Sequence, residues 1–414
     1  MLKYSFAIVA VILAVCACVS AVSSPLSTRV YFGGSFASFN GTTFNNIGYY
    51  DLKEQAFKAM SNGTDGTVNI VHVDFFGNVY IGGSFTQVGS VKTGPLAMWR
   101  IDKAEWTTVG TLSFNSGASI TAIDTNCLNI VTNTKSFPCD VFVGGQFTTT
   151  NPAATNIAWF DYSAQTWKAM SGFTANSVSA IAKNEFQTTT INKVFLGGNF
   201  TSGSNSYGFG IYDTSKNTFT GVDGVSGVTD IYYNPNLFNV DDLFIAAAKF
   251  PNAQCVGLCA YKHTDGTWST KVGTDSMSTI RKLAYMKGTS VSSVGTVFIA
   301  GSSGVKKGSG GSTFSAFGSN SPNVNVYGMD ICGTASNEAL TYCSQGSVAA
   351  GGQNFLYFYN AKTDTWTNLL NAYTSSNYTL QVNSVYVKVS SAMRESSISL
   401  VVLMIALIAS VFFF

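Results

Sequence analysis

Charged side chains are scarce in this sequence. Only 11% of its 414 residues are Asp, Glu, Lys or Arg, whereas ordinary globular domains have about a quarter. The polar surface must therefore come from Ser, Thr, Asn and Gly, a composition common in extracellular proteins. The 23 basic and 21 acidic residues leave a formal charge of +2. That charge gives no basic field for nucleic acid, so we expect no nucleic-acid partner.

Histidine is nearly absent, because His72 and His263 are the only two in the chain. Each falls inside a strand or turn pattern, and the two are far apart in sequence, so we interpret both as structural. No cysteine spacing is typical of a zinc site. The sequence therefore predicts no metal site and no cofactor, and it supports no Ser-His-Asp or Cys-His arrangement.

The first 21 residues are typical of a secretory signal. One Lys precedes an apolar run, and small residues follow, with Val19 and Ala21 three positions and one position before the expected cleavage. An uncleaved N-terminal membrane anchor is the alternative. Residues 22–29 are expected to form a short lead before the folded part.

The last 17 residues, 398–414, form an uncharged hydrophobic segment with no Lys or Arg after it. A spacer of small and polar residues, 390–397, comes directly before it. This layout is typical of a signal for attachment of glycosylphosphatidylinositol (GPI), here near Ser390. It predicts a protein held at the extracellular face of the plasma membrane. A single membrane-spanning helix is the alternative.

Six cysteines remain once the two in the signal are removed, and an even number in an exported protein suggests disulfides. Proximity in sequence favours three pairs, although other pairings stay open: Cys127–Cys139, Cys255–Cys259 and Cys332–Cys343. Four Asn-x-Ser/Thr sequons predict N-glycosylation at Asn40, Asn62, Asn199 and Asn377.

Two adjacent small residues after a short apolar strand recur through the chain. The phrase appears as VYFGG, VYIGG, VFVGG, VFLGG, LFIAA, VFIAG and VAAGG, at intervals of 49 to 62 residues. This period and the strand-like content are typical of β-propeller blades. Two small residues persist where glycine is lost, so we expect close backbone approach there. A phosphate-binding loop does not fit, because no helix start or Lys-Ser/Thr follows.

Each repeat carries three further strand patterns. An apolar pair such as Ile120 and Ile123 precedes the glycines; an aromatic strand often ending in Asp follows them, and then a single aromatic such as Trp167. In the sixth repeat the third strand is degenerate, and Phe314 is expected to replace the last aromatic. The sequence predicts an all-β, seven-bladed β-propeller of four-stranded blades over residues 30–389.

The two ends of the repeat region predict how the ring closes. The first Gly-Gly strand lacks an apolar-pair strand before it, and one extra strand of that type, Gln381–Val389, follows the last repeat. We therefore expect the C-terminal strand to complete the first blade in a 3+1 closure. Closure of this kind protects sheet edges that would otherwise invite aggregation.

The order of these patterns resembles kelch-type propeller repeats. The fuller phrase Gly-Gly-x-Phe-Thr, at Phe85-Thr86, Phe147-Thr148 and Phe200-Thr201, followed by Ile-Ala-x-Phe-Asp, is similar to the secreted propellers of the fungal cortical polarity-marker family. The resemblance covers residues 30–389 and implies a surface propeller connected with polarised growth. Kelch-like propellers also include copper-radical oxidases, which need two histidine ligands and a Tyr–Cys cross-link. The two widely separated histidines here do not match that requirement.

A recurrent aspartate is the main candidate for catalysis. Asp51, Asp102, Asp161 and Asp213 could be read as the carboxylates of a glycoside hydrolase. Their fixed place a few residues before the blade aromatic instead favours capping of the turn between the third and fourth strands. We therefore predict a non-enzymatic propeller that mediates adhesion, recognition or polarity-related interactions with an unknown protein or glycan. The alternatives are an enzyme acting on carbohydrate (an oxidase or a hydrolase) and a structural component of a wall or matrix.

Strand order assigns the connections to two faces of the propeller. In antiparallel blades, first-to-second and third-to-fourth connections share one face, and second-to-third and fourth-to-first connections share the other. All four sequons map to the latter face. The segments 127–139 and 332–343 and the end of the C-terminal strand map to the former. We therefore expect the glycan-bearing face to point away from the membrane.

Overall fold

The computed structural model describes residues 28–39, 41–127, 139–183, 192–235, 241–269, 277–286, 295–309, 313–332, 346–370 and 380–389. The predicted secretory signal, the spacer with Ser390, the hydrophobic C-terminal segment, Asn40, Asn377 and Cys343 lie outside these ranges. The described residues form strands, turns and loops, with no helix among them. Accordingly, this part of the chain contains no helix that could cross a membrane.

The strands, numbered along the chain, are β1 (Thr28–Ser35), β2 (Ser38–Phe39), β3 (Thr42–Thr43), β4 (Ile47–Asp51), β5 (Ala56–Ala59), β6 (Val68–Val73), β7 (Val79–Gly83), β8 (Gln87–Val88), β9 (Val91–Lys92), β10 (Leu96–Arg100), β11 (Glu105–Thr107), β12 (Ser119–Asn126), β13 (Asp140–Thr150), β14 (Ala153–Asp161), β15 (Thr166–Ala169), β16 (Thr174–Ala182), β17 (Lys193–Ser202), β18 (Asn205–Asp213), β19 (Thr218–Val222), β20 (Ser226–Pro235), β21 (Asp241–Lys249), β22 (Leu258–Lys262), β23 (Thr267–Ser269), β24 (Ile280–Met286), β25 (Thr296–Gly301), β26 (Gly304–Ser309), β27 (Val326–Ile331), β28 (Val348–Gly352), β29 (Phe355–Asn360), β30 (Thr365–Asn368) and β31 (Gln381–Val389).

Seven antiparallel sheets form the blades of a propeller. From the first strand outward, blades 1 to 7 are β31-β1-β4-β5, β6-β7-β10-β11, β12-β13-β14-β15, β16-β17-β18-β19, β20-β21-β22-β23, β24-β25-β26 and β27-β28-β29-β30. The first strands of neighbouring blades contact one another in a closed cycle, so they surround the central axis. The predicted seven-bladed β-propeller is therefore confirmed.

The predicted 3+1 closure is also confirmed. Strand β31 pairs with β1 over its whole length, from Val389 opposite Thr28 to Gln381 opposite Ser35. Strand β1 thus includes Thr28 and Arg29, the last two residues of the expected lead.

Blade 6 differs in detail from the sequence prediction. Its third strand, expected to be degenerate, is formed by β26, and the fourth place is held by Ser315 alone. Ser315 exchanges two backbone hydrogen bonds with Lys307, at 3.0 and 3.1 Å, and the preceding Phe314 is buried as expected.

The repeated glycines are explained by two close approaches. A Cβ on the first glycine, as at Gly144, would overlap Val178 on the first strand of the next blade. A Cβ on the second glycine, as at Gly145, would overlap the backbone carbonyl of Ser119 in its own blade. The prediction that neighbouring strands and blades crowd this position is therefore confirmed.

A β-bulge lies opposite the small-residue pair in all seven blades. The extra residue follows the first apolar position of the inner strand, and in five blades its side chain donates to a backbone carbonyl of the next blade. These bonds run from Asn69 to Ile120 (3.1 Å), from Thr121 to Val178 (2.9 Å), from Ser179 to Val228 (2.6 Å), from Thr229 to Ile280 (2.6 Å) and from Asn383 to Val68 (3.1 Å).

Inner-strand N–H groups are also bound across the blade boundary. In four blades the N–H donates to a serine or aspartate oxygen of the preceding blade, which is how this fold satisfies an otherwise open strand edge. The pairs are Val71 with Ser384, Lys183 with Asp124, Leu283 with Asp230 and Val387 with Asp330.

The apolar core is divided among the blade boundaries. The described residues contain seven buried clusters, and each is built from the facing sides of two adjacent blades. At the outer edge, three tryptophans of the fourth strands add a hydrogen bond to a carbonyl of the preceding blade. These bonds run from Trp106 to Met60 (3.1 Å), from Trp167 to Val109 (2.7 Å) and from Trp366 to Phe317 (2.8 Å).

The two adjacent glycines of blade 3 provide a matched pair of substitutions. Gly144→Ala is expected to destabilise the protein by about 1–3 kcal/mol, because the Val178 side chain must shift. Gly145→Ala should cost more, because the Ser119 carbonyl cannot move without breaking the bulge. Urea unfolding of both variants checks this order. Equal stabilities, or a less stable Gly144→Ala, would contradict it.

Candidate functional site

The two propeller faces have different contents. The C-terminal face, where β31 ends, carries the Cys127–Cys139 disulfide between β12 and β13. The opposite face, called the sequon face here, carries Asn62 before β6 and Asn199 near the end of β17, and both residues are exposed. The described sequons therefore lie on one face, as the strand order predicts.

Two of the predicted disulfides are present, Cys127–Cys139 and Cys255–Cys259. Cys332 is also disulfide-bonded, and its predicted partner Cys343 lies outside the described residues. Such bonds are typical of proteins from an oxidising compartment.

His72 lies on the inner strand of blade 2 and is buried. Its Nε2 lies 2.8 Å from Thr125 Oγ1 and 3.8 Å from an Asp124 carboxylate oxygen of blade 3. Burial, with a smaller effect of Lys388, lowers the pKa of His72 to about 3. The ring is therefore neutral at ordinary pH and serves as an inter-blade contact.

His263 has a different environment at the end of β22 in blade 5. Its ring is buried, with centroids 5.2 Å from the ring of Phe195 and 6.0 Å from that of Tyr233. The structure does not bring the two histidines into one site, and their interpretation as structural groups matches these surroundings.

Asp74 is a fully buried carboxylate near the C-terminal face. It accepts hydrogen bonds from Asn78 N and Nδ2, both at 2.9 Å, and from Tyr80 Oη at 3.2 Å. One of its oxygens and the sulfurs of Cys127 and Cys139 lie within 4.8 Å of one another. The disulfide leaves no thiolate to coordinate an ion, so this group fits a structural role in the oxidised protein.

Lys183 and Asp140 lie where blades 3 and 4 meet. Lys183 Nζ donates to the Lys193 carbonyl at 3.1 Å, and burial lowers the pKa of this lysine to about 8. Asp140 accepts the Tyr162 N–H at 2.7 Å, and burial raises its pKa to about 6. Both groups are bound to backbone atoms that fix the local strand geometry.

The recurrent aspartates cap turns, as predicted, in three of four cases. Asp51, Asp161 and Asp213 each accept two backbone N–H groups from the turn that follows. Asp102 does not cap its turn. In blade 2, Arg100 forms the last pair between the third and fourth strands, a position that the aspartate holds in the other three blades. Asp102 instead forms an ion pair with Arg100 at 3.0 Å. The turn aspartates belong to separate blades and form no carboxylate pair of the kind a glycoside hydrolase needs.

An open groove lies on the sequon face between blades 2 and 3. Its volume is about 680 Å³, and its walls are the β8–β9 hairpin region and the connection at residues 108–118. Its lining combines hydroxyl and amide side chains, including Thr86, Thr111 and Ser113, with apolar ones such as Leu112, and Lys92 is the one titratable residue in it.

Both walls of this groove are held by hydrogen bonds. Asp65 accepts the N–H and hydroxyl of Thr86 at 2.8 and 2.6 Å. On the other wall, Asn115 and Thr148 exchange bonds of 3.0 and 2.7 Å, and Phe114 packs on Phe147 with ring centroids 5.3 Å apart. The groove is therefore preformed, as binding sites usually are.

A second groove of about 640 Å³ lies on the same face. Its lining includes Asn46 and Asp65, and Asp65 is hydrogen-bonded to Thr86 in the lining of the first groove. Asn46 accepts the Phe36 N–H at 2.8 Å and donates to the carbonyls of Thr64 and Gly66. Sequence reasoning missed this asparagine, although it begins the aromatic strand pattern of the first repeat, NIGYYD (46–51), as Asn156 begins that of the third, NIAWFD (156–161).

Comparison with known proteins leaves the family open. Scans of protein-family models and of curated proteins find no match, so the resemblance to kelch-type repeats and to the fungal polarity markers stays a prediction. Among solved structures, the GH74 enzyme from Niastella koreensis is 15% identical, covers 74% of this chain and 45% of its own, and has a TM-score of 0.48.

Two further solved structures are similar at the same low level. The extracellular domain of a protein classed as a hybrid two-component system from B. thetaiotaomicron is 14% identical, covers 78% of this chain and 36% of its own, and has a TM-score of 0.42. YCF48 bound to D1 peptide is 9% identical, and the match covers 79% of this chain and 94% of the YCF48 chain, with a TM-score of 0.44. This chain spans about a third to a half of the length of the first two proteins. At these values no function transfers to it.

Asp330 provides a test of the role given to the inner-strand carboxylates. Burial raises its pKa to about 7, so the folded state holds a proton that the unfolded state releases near pH 4. The contribution of Asp330 to stability is therefore expected to fall as pH rises from about 4 to about 7. Asp330→Asn keeps an acceptor for Val387 N–H and should remove this fall, with a gain on the order of 1 to 3 kcal/mol at pH 8.

Urea unfolding of both proteins across this pH range measures the effect. The two stabilities should agree at the acidic end and diverge as pH rises. A difference in stability between the two proteins that stays constant with pH would contradict the raised pKa assigned to Asp330.

Proposed function

We propose that this protein is a non-enzymatic, cell-surface propeller that recognises a protein or glycan partner through its sequon face, in adhesion or in polarity-related contacts. The observation that carries the proposal is that the titratable groups and the open grooves lie in different parts of the propeller. The clustered titratable groups near the axis are engaged in inter-blade hydrogen bonds, whereas the two open grooves have almost uncharged linings. A preformed groove without paired titratable groups suits binding better than acid–base catalysis.

The proposed membrane anchor determines which way the sequon face points. We place the anchor near Ser390, as GPI or as a single span, immediately after β31. Because β31 ends beside Thr28 on the C-terminal face, an anchor there leaves the sequon face pointing outward. The described surface has no exposed aromatic patch, since its exposed large apolar side chains are Ile101, Val256 and Val324. Recognition would therefore depend mainly on polar contacts.

An enzyme acting on carbohydrate is the second candidate, and one observation favours it. Asp330, with a pKa raised to about 7, has the protonation behaviour of a general acid. Its carboxylate accepts the Val387 N–H at 2.8 Å, which ties it to the ring. Glycosidase activity lost in Asp330→Asn with the fold intact would favour this candidate over recognition.

Binding to intact cells of the protein's own source tests the recognition proposal. The full chain, matured by a eukaryotic secretory host, is expected to bind saturably. Lys92→Glu, at the groove rim on the sequon face, should weaken binding at least tenfold. Lys362→Glu, in an exposed turn on the C-terminal face, is the matched control and should not. Enzymatic removal of surface glycans separates a glycan partner from a protein partner. Absence of saturable binding, or an equal loss in both variants, would contradict the proposal.

Release from cells tests the anchor. A phosphatidylinositol-specific phospholipase C is expected to free the protein from intact cells, because it cleaves the lipid of a GPI anchor. Protein that stays in the membrane fraction after this treatment would instead indicate a spanning segment.

A further inference from the structure

The groove between blades 2 and 3 has the chemistry of a site for a neutral polyhydroxyl ligand. Its rim presents exposed Thr111 and Ser113, whose hydroxyls offer donors and acceptors without charge, and Thr86, whose hydroxyl donates to Asp65 and can still accept. A ligand bound there must satisfy polar groups that lose water, and it must do so without a counter-ion. The charged groups at this groove are Lys92 in its lining and Asp65, which accepts hydrogen bonds from the rim residue Thr86.

The floor and walls add an apolar surface of limited size. Phe114 is half-buried and lines the groove, and its ring is fixed against Phe147. An aromatic side chain in the lining of a groove can supply an apolar contact, which suits the C–H face of a pyranose. The hydroxyl side chains can thus bind the hydroxyl groups of a sugar, and Phe114 can contact its C–H face.

A peptide fits the groove less well. Peptides are recognised through an added strand on an open sheet edge, an apolar cleft or a charge cluster. Here the connection at residues 108–118 is already bonded to blade 3 through the Phe114–Thr149 bridge and the Asn115–Thr148 pair. The opposite wall is bonded to Asp65.

We infer that this groove is the recognition site of the protein and that its ligand is a neutral oligosaccharide, with Thr86, Thr111 and Ser113 as hydrogen-bonding residues and Phe114 as the stacking residue. This inference rests on the proposed recognition function and names its site and ligand class. The volume of about 680 Å³ accommodates a few sugar units. The rigid walls reduce the ordering cost of binding.

An array of short neutral oligosaccharides, built from hexoses and N-acetylhexosamines, is the probe. The full chain is tested beside three variants. Thr111→Arg places a long charged side chain in the groove, and Phe114→Leu removes the aromatic ring but keeps an apolar contact with Phe147. Thr220→Arg is the matched control, because it makes the same Thr-to-Arg substitution at an exposed position on the outer strand of blade 4. Thermal unfolding of each variant verifies that the fold is retained.

The inference predicts binding by the unmodified chain and by Thr220→Arg, with a loss of at least tenfold in Thr111→Arg and a smaller loss in Phe114→Leu. Equal binding by Thr111→Arg would overturn the groove as the site, while leaving recognition itself standing. If no neutral oligosaccharide binds but the protein still binds intact cells after glycan removal, the ligand class is wrong and the recognition function survives. If neither assay shows binding, both fail.

Discussion

The close approach of seven inner strands around one axis is the constraint on which this structure depends. Blades meet at the small-residue pair, where a Cβ would overlap the neighbouring blade or the bulge of its own blade, as Gly144 and Gly145 show. Such contact brings the inner edges of neighbouring sheets together, and their backbone groups find partners across the blade boundary. Side chains of the adjacent blade, among them Thr121 and Asp230, supply them.

This arrangement decides where charge can be used. Carboxylates near the axis, such as Asp124 and Asp330, accept backbone N–H groups of the next blade, and Lys388 of the closing strand donates to the Asp74 carbonyl at 2.9 Å. In a chain with only 11% charged residues, several charged side chains are thus used for contacts between blades. On the sequon face, the groove between blades 2 and 3 has Lys92 as the one titratable residue in its lining, and hydroxyl and amide side chains such as Thr111, Ser113 and Asn115 accompany it.

Local pattern predicted most of the fold, because strand period, small-residue pairs and turn residues each act within one repeat. The 3+1 closure followed from one missing strand and one extra strand, and β31 paired with β1 as expected. The inner-ring contacts were not predicted, since Asp330 and its partner Val387 are separated by 57 positions. The groove was missed for the same reason: its two walls come from different connections. Asp102 was misplaced because the register in blade 2 is set by Arg100.

The most direct test of this account is hydrogen–deuterium exchange at single-amide resolution on the folded protein. The amides of Val71, Lys183, Leu283 and Val387 face the inner edge and donate across blade boundaries. We expect them to be as protected as amides inside the β-ladders, because they open only when the ring opens. Exchange as fast as that of exposed outer-strand amides would contradict the account, since the inner edges would then be unpaired.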